Sequence, residues 1–445
     1  VKLAAEFKAM SHTNEPLERD RIFAAKLAAL KALFYVSAAD EARTHDFELF
    51  CLDEGEGLRQ FAEWCAAQAS ESEHHGAPKH AGEDPQELVQ FYMWLQFIAD
   101  EQRRVAQERA LAAGMRLGIM TDLAVGIHPG GADAATLHEV LVPDASVGAP
   151  PDQYSQQGQD WSQPPWNPQQ LAEAGYGPWR DLLRTVLRHS GGIRVDHVLG
   201  LFRLFWLPRM DTPVHGAYMN YDFEAMVGVL VLEAQRAGAV VVGEDLGTFE
   251  PWVQDVLRDK GILGTSVLWF ESVPPEVPRP SQQYRNLALT AVGTHDLPPA
   301  AGYLEGAHNA LRHKLGLVAE SLEELNAADA VWISQVLAAA QAEGAFEGTT
   351  LANVDFLDQD LGEYDDVDTL VEGLTRFVAS TPSAMICTNL VDMVGDTRIQ
   401  NQPGTNREMY SNWCIPLCDT SGTPVLIEDL PDVPLFTRIA SASTR

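Results

Sequence analysis

Residues 191–200, Gly-Gly-Ile-Arg-Val-Asp-His-Val-Leu-Gly, constrain the fold of this chain more than any other stretch. A short β-branched run ends at Asp196, with Arg194 two residues earlier and His197 directly after. Parallel strands buried on both faces read as such apolar runs, and chemistry collects at their carboxyl ends in α/β barrels. Three further stretches repeat the pattern. Residues 117–122 run into Asp122, residues 237–245 place Glu244 at a tip, and residues 287–292 lead into Gly293-Thr294-His295-Asp296. A single strand-end acid reads equally well as the cap of a following helix. Four together point to one carboxylate-lined mouth, and hence to an α/β fold of the barrel type with helical and loop insertions.

The remaining sequence fits around such a barrel. Residues 1–115 read as a helical insertion subdomain with helices over 16–36, 47–67 and 85–113. In the first, Pro16 suits the first helical position, and Ile22, Ala25, Leu27, Leu30 and Leu33 form the apolar stripe. Strand and helix patterns alternate after Arg116, so residues 116–445 read as the catalytic part. Expected helices there cover 221–238, with Ala225, Val229, Leu232 and Ala234 inward, then 252–260 and 369–380; expected strands cover 262–270 and 383–391. A second helical insertion occupies about 307–345. A long loop at about 140–175 is dense in amides, hydroxyls and aromatics, among them Tyr154, Trp161 and Trp166. Sugars need that mixture of aromatic faces and fixed polar groups.

Composition excludes several partners. With 31 Lys and Arg against 63 Asp and Glu, the net charge is −32, which argues against nucleic acid and anionic membranes. Five scattered cysteines indicate reduced thiols in a cytoplasmic enzyme. Cys414 and Cys418 lack further paired ligands, and His74, His75 and His80 lack regular spacing, so neither group reads as a metal site. No run reaches the length of a membrane span.

The acids suit glycosidic-bond chemistry, in which one carboxylate is the nucleophile and another the acid/base, about 5–5.5 Å apart in retaining enzymes. Arg194 and Asp196, two apart on a strand, share a face, so the guanidinium can keep Asp196 ionised. Glu244 follows Val240-Val241-Val242-Gly243, a desolvating setting that lets a carboxyl keep its proton. Asp296 and His295 suit binding of sugar hydroxyls. Such chemistry needs no metal or organic cofactor.

Residues 192–197, Gly243-Glu244-Asp245-Leu246-Gly247 and Gly293-Thr294-His295-Asp296 resemble the catalytic motifs of the 4-α-glucanotransferases (amylomaltases or disproportionating enzymes, glycoside hydrolase family 77). Thr121-Asp122-Leu123 resembles that family's first conserved strand. Residues 150–154 and 158–161 resemble its substrate loop, and Pro403-Gly404-Thr405 with Asn412-Trp413 its C-terminal signature. The resemblance implies a (β/α)8 barrel, with Asp196 as nucleophile, Glu244 as acid/base and Asp296 as transition-state stabiliser. It further implies that Arg194, His295, Asp122, Tyr154 and Trp161 bind substrate, with maltooligosaccharides and other α-1,4-glucans as partners. A plain α-glucan hydrolase and an inactive glucan-binding remnant stand as alternatives. Cys414 departs from the Arg that usually follows the family's Asn-Trp pair. By motif order the chain opens on Val1 before the family's third strand. The expectation is therefore six of eight strands, open sheet edges, and a fragment that is poorly folded or inactive.

Overall fold

A β-carbon at Gly191 would lie 1.9 Å from the carbonyl oxygen of Leu117. Glycine alone therefore lets the chain enter a strand this close to its neighbour. The computed structural model describes residues 2–71, 84–151, 158–209, 212–274, 276–358 and 366–444. They divide into two compact units, Arg19–Ile262, and Val1–Glu18 with Leu263–Arg445.

The unit Arg19–Ile262 contains β1 (Met120–Leu123), β2 (Ala145–Ala149), β3 (Gln159–Gln163), β4 (Gly192–Val195), β5 (Arg203–Pro208), β6 (Ala217–Asn220) and β7 (Val240–Gly243). β1, β4 and β7 are parallel neighbours in that order, with Asp122 opposite Arg194 and Arg194 opposite Val242. The helices Gly177–Leu187, Phe223–Ala237 and Pro251–Asp259 share an apolar core with this sheet, including Leu183, Leu187, Ile193, Leu230, Val241 and Leu257. Each such aliphatic side chain contributes about 1.5–3 kcal/mol on burial. Asp222 caps the second helix by accepting from the Ala225 N–H, worth about 1 kcal/mol.

The helix Phe223–Ala237 turns its Met226, Val227, Leu230 and Ala234 face inward, whereas Leu232 is exposed. The expected stripe of Ala225, Val229 and Leu232 is thus rotated, because Met226, Leu230 and Ala234 at i, i+4 and i+8 fill the core better. Further towards the amino terminus, the helix Arg19–Ser37 starts three residues beyond Pro16, which is not a first helical residue. Its buried residues are Leu27 and Phe34, while Leu33 is exposed. The reason is aromatic: Phe34 packs on Phe91 and Trp94 of the helix Pro85–Ala112.

Within the loop expected at about 140–175, residues 145–149 and 159–163 are strands. β2 and β3 pair antiparallel and continue through β5 and β6 in a four-stranded sheet. Asp160 stabilises the β3 bend by accepting from the Ser146 hydroxyl and, at 2.7 Å, the Ser162 N–H. Tyr154, His74, His75 and His80 lie outside the described residues.

The unit of Val1–Glu18 and Leu263–Arg445 holds β8 (Gly264–Val267), the hairpin β9 (Ser272–Val273) and β10 (Val277–Pro278), β11 (Ala288–Ala291) and β12 (Met385–Cys387). β8, β11 and β12 are again parallel neighbours in chain order. Two expected strands are shorter than the sequence predicts. The stretch 262–270 closes in a 3-10 turn, Leu268–Phe270, and 383–391 gives way to the helix Leu390–Val394. After β8 the apolar run continues past the ladder because Leu268 and Trp269 are buried in the turn, whereas after β12 Leu390 is exposed and only Val394 of the short helix's apolar residues is buried. The helices Ala307–Lys314 and Leu322–Ala342 occupy the expected second helical stretch.

Among the described residues no single helix is long and apolar enough to cross a membrane. None of the five cysteines is in a disulfide.

Candidate active site

In the unit Arg19–Ile262, β4 ends at Val195 and β7 ends at Gly243, paired residues on adjacent strands. Asp196 and Glu244 follow directly, so their backbones lie roughly 5 Å apart, one strand spacing. The ladder extends one step further, since the Glu244 N–H donates to Val195 O at 2.9 Å and the Asp196 N–H to Leu123 O at 2.9 Å. Asp122 lies within β1 rather than beyond its tip. Strand pairing still places it opposite Arg194.

Arg194 ties the acids together. Its Nη1 donates to Asp122 Oδ1 at 2.8 Å and its Nη2 pairs with Asp196 Oδ1 at 3.0 Å. The shared face of residues 194 and 196 is the one strand alternation predicts. Burial opposes the guanidinium charge. The hydrogen bond to Asp122 and the charges of Asp122, Asp196 and Glu244 outweigh it and raise the Arg194 pKa.

Glu244 is 9% exposed. Burial pushes its carboxyl up to about 7; the Leu246 N–H counters this, the charge of Asp196 reinforces it, and Arg194 and the His197 N–H counter it again. The Leu246 N–H donates to Oε1 at 2.8 Å and the His197 N–H to Oε2 at 2.9 Å. A β-carbon at Gly243 would lie 2.7 Å from the Val198 side chain, so the glycine lets residues 197–198 settle against β7. His197 itself adopts φ +45. Its ring meets Trp161 edge-on at 5.4 Å, and burial lowers its pKa to about 4, leaving it neutral. The neighbouring Asp245 is buried and accepts from Gln254 at 2.9 Å, anchoring the following helix.

The other unit holds His295 and Asp296, in the loop after β11 rather than at the strand tip. Asp296 Oδ1 accepts from Asn401 Nδ2 at 3.2 Å, and Oδ2 lies 3.3 Å from His295 Nε2. The loop is fastened at its far end by Asp392, which accepts from the Ala300 N–H at 2.6 Å. Burial raises the Asp392 carboxyl to about 7.

Within Arg19–Ile262 the structure thus brings Asp122, Arg194, Asp196 and Glu244 together, with Trp161 reached through His197, and within the other unit it pairs His295 with Asp296. Sequence reasoning did not single out the two backbone donors to Glu244, nor Asn401 and Trp413 beside the His295–Asp296 pair. The signals for the last two were the neighbouring Pro403-Gly404-Thr405 and the Asn412-Trp413 pair of the C-terminal signature.

A proton-holding carboxyl next to an Arg-paired carboxylate, at the ends of adjacent parallel strands, is the arrangement of the glycoside-processing α/β enzymes. The chain belongs to glycoside hydrolase family 77, whose model, described as 4-alpha-glucanotransferase, matches residues 1–420. It is 45% identical over 436 residues to a 4-alpha-glucanotransferase of Mycobacterium tuberculosis, covering 94% of this chain and 58% of that relative. With a 4-alpha-glucanotransferase of Haemophilus influenzae it shares 32% identity, over 74% of this chain and 46% of the relative. The chain therefore spans about half to three-fifths of these relatives' length. The crystal structure of amylomaltase from Corynebacterium glutamicum matches with a TM-score of 0.92 and 55% identity, over 100% of this chain and 62% of that one. An amylomaltase from Streptococcus agalactiae in complex with acarbose shares the fold at a TM-score of 0.68 and 16% identity, over 94% of this chain and 77% of that one.

Proposed function

We propose that this chain carries retaining 4-α-glucanotransferase chemistry, with Asp196 as nucleophile, Glu244 as acid/base and Asp296 as the carboxylate that holds sugar hydroxyls in the transition state. The observation that carries this reading is the different setting of two neighbouring carboxyls. Arg194 pairs with the Asp196 carboxylate, while burial lets Glu244 keep a proton near neutrality. In the first step an Asp196 oxygen forms a bond to the anomeric carbon as the glycosidic bond breaks. The leaving oxygen takes the Glu244 proton. In the second step the 4-hydroxyl of an acceptor glucan attacks the same carbon, returns its proton to Glu244 and releases Asp196. Arg194 holds the nucleophile, with Asp122 on its other side. Asp122, His295, Trp161 and Tyr154 are assigned to substrate binding, and α-1,4-glucans are the substrates.

We further place the six parallel strands as successive strands of a (β/α)8 barrel. In each unit, neighbours follow chain order, as in a singly wound barrel and unlike a doubly wound sheet. Residues 1–115 are assigned as a helical insertion and 116–445 as the catalytic part. Five cysteines outside any disulfide support a cytoplasmic setting.

Incubation with maltotriose tests the activity. Glucose together with maltooligosaccharides longer than the substrate is the expected result. Equal glucose and maltose with nothing longer identifies a hydrolase, and no turnover identifies a binding remnant.

A further inference from the structure

Trp413 holds φ +59, a left-handed conformation that crowds any residue with a β-carbon and persists only where its surroundings over-determine it. The surroundings here do so. The Trp413 N–H donates to Gln400 O at 2.9 Å, and the Leu17 N–H donates to Cys414 O at 2.8 Å. Asn412 Oδ1 accepts from the Gln402 N–H at 2.8 Å, and its Nδ2 donates to Thr405 Oγ1 at 2.8 Å. Behind this loop Arg398 chelates Asp396 through two nitrogens, at 2.9 and 2.8 Å.

All this bracing leaves the indole 44% exposed, so core packing is not what the strained backbone serves. The ring instead lies 5.7 Å from the His295 ring, tilted by 56°. His295 pairs with Asp296, and Asn401 donates to Asp296 from the same loop. An aromatic face beside converging polar groups is the chemistry that grips a pyranose, whose C–H face is apolar and whose edge is hydroxylated. Strain concentrated at a ligand-gripping position has the same logic.

We infer that Trp413 is a sugar-binding residue: its indole stacks on the C–H face of a glucosyl ring whose hydroxyls are held by Asp296, His295 and Asn401. This rests on the transferase reading and extends it. Trp413 is a binding residue that exchanges no proton with substrate, so it sets KM more than kcat.

Two variants test it. Trp413→Asn removes the ring while keeping a side chain that tolerates left-handed backbone, and Trp413→Phe keeps an aromatic face. For maltotriose disproportionation, Trp413→Asn is expected to raise KM at least tenfold with kcat within threefold, and Trp413→Phe to stay within threefold of the parent in both. An unchanged KM in Trp413→Asn overturns the inference and leaves the transferase reading intact. Equal losses in both variants with a lowered melting temperature also overturn it, in favour of a structural role. Saturation-transfer NMR with maltotriose separates binding from turnover. A parent that binds maltotriose without turning it over, with binding lost in Trp413→Asn, supports stacking while refuting the transferase. A parent that binds no maltotriose refutes both.

Discussion

The backbone N–H of His197 donates to Glu244 Oε2 across 2.9 Å, from a residue in left-handed conformation immediately after Asp196. One turn of chain thus places Asp196, the proposed nucleophile, and orients Glu244, the proposed acid. The Leu246 N–H holds the other Glu244 oxygen. Two donors favour the ionised form, yet burial outweighs them and the carboxyl titrates at about 7. Orientation and protonation are therefore set separately, by the turn and by the core.

That balance predicts a pH-dependent stability. Below about 4.5, the ordinary value, Glu244 is protonated both folded and unfolded. Between about 4.5 and 7 only the folded state keeps the proton, so the contribution of Glu244 to stability falls as pH rises and is lost above about 7. The full loss is about 3 kcal/mol for a shift of this size. Glu244→Gln, which cannot ionise but can accept only one of the two backbone N–H groups, should therefore change in melting temperature relative to the parent by a larger favourable amount at pH 8 than at pH 4. Thermal unfolding at the two pH values checks this, and a gain of equal size at both would contradict it.

Removing the acid should also slow turnover by about 10²–10⁴, with the deficit smaller for an activated fluoride donor whose leaving group needs no proton. Glu244→Gln treated with such a donor should accumulate a covalent glycosyl adduct on Asp196, and Asp196→Ala should form none. Peptide mass spectrometry of the trapped protein locates the adduct; finding it on another residue would reassign the nucleophile.

Arg194 bridges Asp122 and Asp196, so Arg194→Met should leave neighbouring carboxylates without their cation. Losing a partner of a buried pair costs about 3–5 kcal/mol. Solvent reaches Asp122 and Asp196 here, so about 1–3 kcal/mol is expected after screening. Without its cation the Asp196 carboxylate is no longer held in place, and turnover should fall by about 10²-fold. Turnover equal to the parent's would show that Arg194 acts in packing alone.

Gly191→Ala directs a β-carbon to 1.9 Å from a backbone oxygen. Backbone cannot yield as a flexible side chain does, so β1 and β4 must separate locally. We expect destabilisation of at least about 1–3 kcal/mol, as for overpacked cores, read from the denaturant midpoint. A midpoint equal to the parent's would mean that the two strands are free to part.

Local pattern carried much of this protein. Alternation and apolar runs located β4 and β7 and put Asp196 and Glu244 just past their ends, because strand period and burial are written in neighbouring residues. The i, i+2 rule put Arg194 on the face of Asp196, and a run of valines foretold the desolvation of Glu244. Tertiary structure decided what distant segments do to one another. Asp122 reaches Arg194 through the register of β1 on β4, and Asn401 reaches Asp296 across 105 residues of chain. Phe34 displaced Leu33 from a core because aromatic rings on another helix received it. Residues 159–163, loop-like in composition, form β3 because β2 pairs with them edge to edge. Periodicity is a property of consecutive side chains and survives in the sequence. Register and burial at a contact depend on which backbone groups and side chains the folded chain brings within a few ångströms, and no local pattern encodes that.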